Sequence, residues 1–222
     1  MAYQFESNAS ADAMIGVDIR VPDHWMQYDL SDNGLAGLRT KIIQEAGDTP
    51  EGRAVINDFF VDLAQVARQI TESGLVSAAG SIEKYDDGIF MANACVFSFL
   101  PPRGYEMDPL RMVDHIHPPN AVEREGAWLE RGQVELLHSG ARNPCGRAWG
   151  VTDHILEDGS AVRSVVMHTA FDIPGIREKA LVTCSSPNVA QQEEVLDLFD
   201  AITGTAWFWK REPNPAAASP TI

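Results

Sequence analysis

Basic residues are scarce in this chain of 222: 17 Lys and Arg stand against 32 Asp and Glu, for a formal net charge of −15. Such an excess of negative charge repels phosphate backbones and anionic lipid surfaces, so nucleic acid and bare membrane are not expected as partners. Long apolar runs are missing too, since charges interrupt every apolar stretch well before the roughly 18 residues a helical span needs, and no membrane insertion is expected. The opening residues Met1–Asn8 have neither the basic start nor the apolar run of a secretory signal, which predicts a cytoplasmic protein. Cysteine is limited to Cys95, Cys145 and Cys184, widely spaced and without a Cys-x-x-Cys pair, which argues against a disulfide framework and a thiolate zinc site. Catalytic signatures are absent as well: there is no Gly-x-Ser-x-Gly elbow, no Gly-x-Gly-x-x-Gly turn and no Walker sequence.

What the chain does contain is ordinary globular composition, with 45% hydrophobic and 22% charged residues. Ile15, Val17 and Ile19 alternate with Gly16 and Asp18 ahead of Val21-Pro22, and Tyr28-Asp29-Leu30 reads as a second edge strand closed by a turn at Ser31-Asp32-Asn33-Gly34. A short helix from Leu35 to Ala46 follows. Thr49 as cap, Pro50 at the first helical position and Glu51 in the first turn then open a long helix running to Ser73-Gly74. Val55, Phe59, Leu63, Val66 and Ile70 recur at intervals of three and four, so they form one apolar stripe that should seek cover.

Beyond Gly74 the period changes to that of strands, at Val76–Glu83, Ile89–Leu100, Trp128–His138, Ala148–Leu156, Val162–Phe171 and Lys179–Ser185. Asp86-Asp87-Gly88 and Glu157-Asp158-Gly159-Ser160 are short enough to close hairpins. A last helix is expected with Ser186 as cap, Pro187 at its first position, Val195, Phe199 and Ile202 on one face and Gly204 as its stop. The order predicts an α+β fold, an antiparallel sheet of about six or seven strands flanked by helices, forming one domain over residues 1–209 with a flexible tail at 210–222.

Ser185-Ser186-Pro187-Asn188 leading into Val195-Leu196-Asp197-Leu198-Phe199, together with Val21-Pro22-x-x-Trp25 and the order of elements, resembles the Mog1/PsbP-like α/β/α sandwich, in particular the small actinobacterial type. The resemblance covers residues 14–209. It implies a non-enzymatic scaffold used for binding, since the better-known members are nuclear-transport cofactors and photosystem accessory proteins, and some actinobacterial relatives are associated with specialised secretion. None of their binding residues matches a position here.

Candidate chemistry is thin. Asp114-His115-Ile116-His117 places two imidazoles and a carboxylate within four residues, but a usable zinc site needs a third ligand, and Pro118-Pro119 points to a surface turn, so no metal is expected. Cys145, taken as a loop residue beside Arg147, could be combined on paper with His138 or His154 and Asp153, without any family signature to support it. His168, between Val166 and Ala170, reads as a sheet histidine with its hydrogen bonds satisfied.

These features predict a protein-interaction or accessory module with no catalytic residues and no cofactor. Its contacts are expected in the Pro101–Glu125 loop, at Tyr105, His115 and His117, and at the terminal aromatic group Trp207, Phe208 and Trp209, where amphipathic rings suit an interface. The competing expectation is a small-molecule-binding protein or hydrolase-type enzyme with a pocket lined by His115, His117, Cys145 and His154. Sheet edges and the terminal aromatics would also serve a homo-oligomer.

Overall fold

The computed structural model describes residues 15–46, 49–86, 88–101, 103–104, 107–118, 124–138, 141–155 and 159–210. The elements in chain order are β1 (Ile15–Asp18), β2 (Met26–Gln27), α1 (Asp32–Ala46), α2 (Pro50–Glu72), β3 (Leu75–Tyr85), β4 (Gly88–Phe99), α3 (Pro109–Ile116), β5 (Trp128–His138), β6 (Ala141–Ile155), β7 (Ala161–Asp172), β8 (Lys179–Ser186), α4 (Gln192–Gly204) and β9 (Trp207–Lys210). Seven strands form one sheet in the order β2-β3-β4-β8-β7-β6-β5, with every neighbouring pair antiparallel. The α+β expectation therefore holds. After β4 the chain crosses to the far edge at β5 and returns strand by strand, so that β8 closes the sheet against β4. The expected first strand, of which Met14 lies outside the described residues, joins a separate two-stranded ribbon, β1 with β9.

Alternation along the strands divides the sheet into two faces. Val96, Val165, Val182 and Cys184 point toward α4, where they meet Val195, Phe199 and Ile202 in the main core; Val17 and Ile19 join the same cluster. Phe199 is fully buried, and its removal would cost about 3–5 kcal/mol through lost transfer energy and a cavity. Arg147 is buried on this face, donating to the Thr169 hydroxyl at 3.0 Å and pairing with the Asp200 carboxylate of α4. The opposite face carries α3, whose Met112 and Val113 pack on Ala148 and Ala170. Gly146 makes that approach feasible, because a Cβ there would lie 2.2 Å from the Pro109 carbonyl oxygen.

The long helix α2 starts as its sequence requires, the Thr49 hydroxyl accepting from the Gly52 amide at 3.1 Å. Three local expectations are corrected. Ser31-Asp32-Asn33-Gly34 is the start of α1 and not a strand-ending turn: the Ser31 hydroxyl accepts from the Gly34 amide at 3.2 Å, which caps the helix. Ser186 does not cap the last helix, because it is the final residue of β8 and its hydroxyl donates to the Met91 carbonyl at 2.6 Å. A single 3₁₀ turn, Val189–Gln191, intervenes, and α4 begins at Gln192 without a side-chain cap. The third correction moves Cys145 from a loop into β6, which begins at Ala141 rather than Ala148. Pro144 fits there because β7 pairs with β6 only from Cys145 onward, leaving Pro144 bonded to one side alone.

Both expected hairpins form. β3 turns into β4 with Tyr85 opposite Gly88, and β6 turns into β7 through Gly159, whose φ of +81° is a conformation that glycine adopts without a Cβ clash. Leu156, Glu157 and Asp158 of the second turn lie outside the described residues, as does the tail beyond Lys210.

Candidate functional site

The apolar stripe of α2 is only partly the face that the helix buries, with Leu63 packed in the contact with α1. Phe60 and Ala67 pack with Leu35 of α1, while Phe59 and Val66, on the stripe drawn by the sequence, are 57% and 47% exposed. Adjacent helix positions are 100° apart, so covering Phe60 against α1 turns Phe59 aside.

The sheet face that carries α3 is similarly half covered. The short α3 helix reaches only the end of the sheet near Ala148 and Ala170. At the other end, Ile82 and Met91 are cross-strand partners with 63% and 40% exposure, and Ile89, opposite Lys84, is 58% exposed. Alternation puts them opposite Ser81 and Ala92, both buried beneath the α4 face. Val162 of β7 is exposed on the same face and end. Exposed apolar surface of this kind on a sheet face is characteristic of surfaces that meet another molecule.

At the boundary of α3, the structure brings imidazoles together. His117 is the C-cap of α3, and its ring lies 4.8 Å from that of His168 on β7, inclined at 42°. Arg131 of β5 fixes the turn by donating to the His117 carbonyl at 3.0 Å. The His117 Nε2 and both nitrogens of His168 are buried without a hydrogen-bond partner, which overturns the expectation that His168 is a satisfied sheet histidine. Burial drives the His168 imidazole down to about 3, with His117 and then His154 adding repulsion; His117 is lowered by burial first, then by Arg131 and His154. Both rings are therefore held neutral at physiological pH. Among the described residues no group of three or more His, Cys, Asp or Glu is placed to hold a metal ion.

Of the other sequence candidates, His115 lies exposed on α3, and Tyr105 is outside the described residues. Phe208 enters the core edge-on to Phe171, with ring centroids 5.6 Å apart. Trp207 is half-buried on β9, with the Arg20 guanidinium 5.8 Å from its ring centroid, and Trp209 is paired through its backbone with Gly16. Cys145 and the imidazoles do not share a pocket: Cys145 packs with Phe171 and Leu136 on the α4 face, whereas His117 and His168 lie on the α3 face. Burial raises the Cys145 thiol to about 11, the reverse of what a nucleophile requires. The exposure of Phe59 and Val66 on α2 and of the sheet end was missed in the sequence because these residues read as core.

No family model matches the chain, and no match is found among the curated proteins. Among solved structures, the chain is similar to LpqN, described as involved in cell envelope biogenesis of Mycobacterium tuberculosis, with 10% identity and a TM-score of 0.45 over 89% of this chain and 85% of that one. No helix among the described residues is long and apolar enough to cross a membrane.

Proposed function

We propose that the chain is a non-enzymatic interaction module that docks a protein partner through the bare end of its sheet, with the exposed residues of α2 as a second contact. The observation that carries this reading is the group of exposed Ile82, Ile89 and Met91 on one end of the sheet, in a chain of net charge −15. Apolar area at the centre with charge around it is the composition of a docking surface. The reading gains further support from the separation of the residues of the expected pocket, since Cys145 is buried on the α4 face and His117 lies against His168 on the other.

A photo-reactive amino acid placed at Val66, and separately at Met91, tests the reading in the native host. A protein should crosslink at both positions and not at Glu194, on the exposed side of α4. Met91→Asp should then weaken the purified complex about tenfold or more, as burial of a charge demands. A crosslink at twice the chain's own mass would identify the partner as a second copy. Absence of any crosslink at both positions sinks the proposal.

A further inference from the structure

On the α4 face, behind the bare sheet end, a cleft of about 480 Å³ opens between the β3–β4 hairpin, the segment before β2 and the approach to α4. Its centre is Glu83. The Glu83 Oε1 accepts from the Ser81 hydroxyl at 2.6 Å and lies 3.0 Å from His24 Nε2, while Oε2 accepts from the Tyr85 hydroxyl at 2.7 Å. Ser81 and then Tyr85 hold the Glu83 carboxyl below its ordinary range, so it is an anion at neutral pH. Three hydrogen bonds fix its position and still leave lone-pair capacity, because a carboxylate offers about four acceptor sites.

The walls are aromatic: Trp25, Tyr85 and Phe90 line the cleft with Glu83, and no Lys or Arg is among the described lining residues. Phe90 is the cross-strand partner of Glu83, which holds ring and carboxylate on the same face. His24, which also lines the cleft, is already engaged by Glu83 at 3.0 Å, so an anionic ligand would meet the carboxylate with no Lys or Arg to offset it, and a purely apolar ligand would leave the carboxylate facing it. A fixed carboxylate between aromatic rings instead matches a cation carried on an apolar stem, since the carboxylate takes the charge and the rings take the stem. The net charge of −15 raises the local concentration of such cations around the molecule.

We infer that this cleft is a binding site for an organic ammonium or guanidinium group, with Glu83 as the charge partner and Trp25, Tyr85 and Phe90 as the walls. Ser81 and Tyr85 act as positioning residues. The site meets the docking surface only at Ile89, which lines its rim, because Glu83 and Ile82 project to opposite sides of β3.

The experiment is a titration of the full chain followed by the indole N–H signals in two-dimensional NMR. The probes are n-butylammonium, n-butylguanidinium, a blocked lysine methylamide and the neutral isostere n-butanol. Expected is a saturable shift of the Trp25 signal with the cations, at least about tenfold weaker binding of n-butanol, and a similar loss in Glu83→Gln. Tyr85→Phe keeps the charge and should show a smaller loss, which guards against misreading a folding defect in Glu83→Gln. Preference for blocked lysine over free butylammonium would name a peptide side chain as the natural occupant, and the reverse a free amine; either supports the site. Equal binding of the neutral isostere, unchanged affinity in Glu83→Gln, or no saturable shift with any cation overturns it. Neither result alters the crosslinking at Met91, so this inference and the docking proposal fail separately.

Discussion

His117 and His168 face each other with ring centroids 4.8 Å apart, and three of their four ring nitrogens are buried without a partner. One ring belongs to the helix that covers part of the sheet and the other to the sheet itself, so their protonation bears on whether α3 stays docked.

The sign of the pH effect follows from the depressed value of His168. Above about 6.5 the imidazole is neutral in both folded and unfolded chains and its contribution is complete. Between 6.5 and about 3 the unfolded chain takes up a proton that the folded one refuses, so stability falls as the pH falls. Denaturant melts from pH 7 to pH 4 should show this acid-side loss, and His168→Phe should flatten it while leaving stability at pH 7 equal or higher, because two unpaired polar atoms are removed. An unchanged acid limb in that variant would refute the assignment.

Cys145 should be inert in the native state. With burial raising its thiol to about 11, iodoacetamide at pH 8 should label Cys145 only after denaturant is added, and Cys184, raised to about 12, should behave alike. Mass spectrometry of the labelled peptides reads the outcome directly; rapid native labelling of Cys145 would reopen the nucleophile reading.

Neighbouring phenylalanines of α2 should respond oppositely to truncation. Phe60→Ala should cost about 3 kcal/mol because it empties the α1–α2 contact, whereas Phe59→Ala should cost no more than about 1 kcal/mol, the loss of its edge-on contact with the Phe60 ring. Chemical denaturation of the two variants distinguishes them, and equal losses would mean that the stripe is covered within the chain.

Gly146→Ala places a methyl group against the Pro109 backbone, so α3 must lift from the sheet. The expected loss is about 1–3 kcal/mol, with faster hydrogen exchange in residues 109–116 and little change in α4. Uniform exchange across the chain would contradict the close approach.

Much of the architecture was legible because strand alternation and turn residues are local signals. Ile89–Leu100, Trp128–His138 and Val162–Phe171 fall within a residue or two of β4, β5 and β7. Ser186 misled for a physical reason: Ser-Pro is a fair start for a helix, but the hydroxyl is engaged by the Met91 carbonyl across the sheet, a partner 95 residues away. The candidate site was less legible. Whether Phe59 or Phe60 faces α1, and whether His168 finds a partner, depend on how elements pack, and the periodicity of one helix or strand carries no record of its neighbour.

The sheet is closed by pairing β4 with β8, where the Asn93 amide donates to the Ser185 hydroxyl across 92 residues of sequence. That seam is the centre of the sheet and also its most distant contact along the chain. During synthesis the β3–β4 hairpin emerges long before its permanent neighbour, and β4 must wait with an open hydrogen-bonding edge until the ribosome has released residues 179–186. The nascent chain thus passes through an interval in which its central strand is an adhesive edge, and the speed of the β5–β8 return sets how long that exposure lasts.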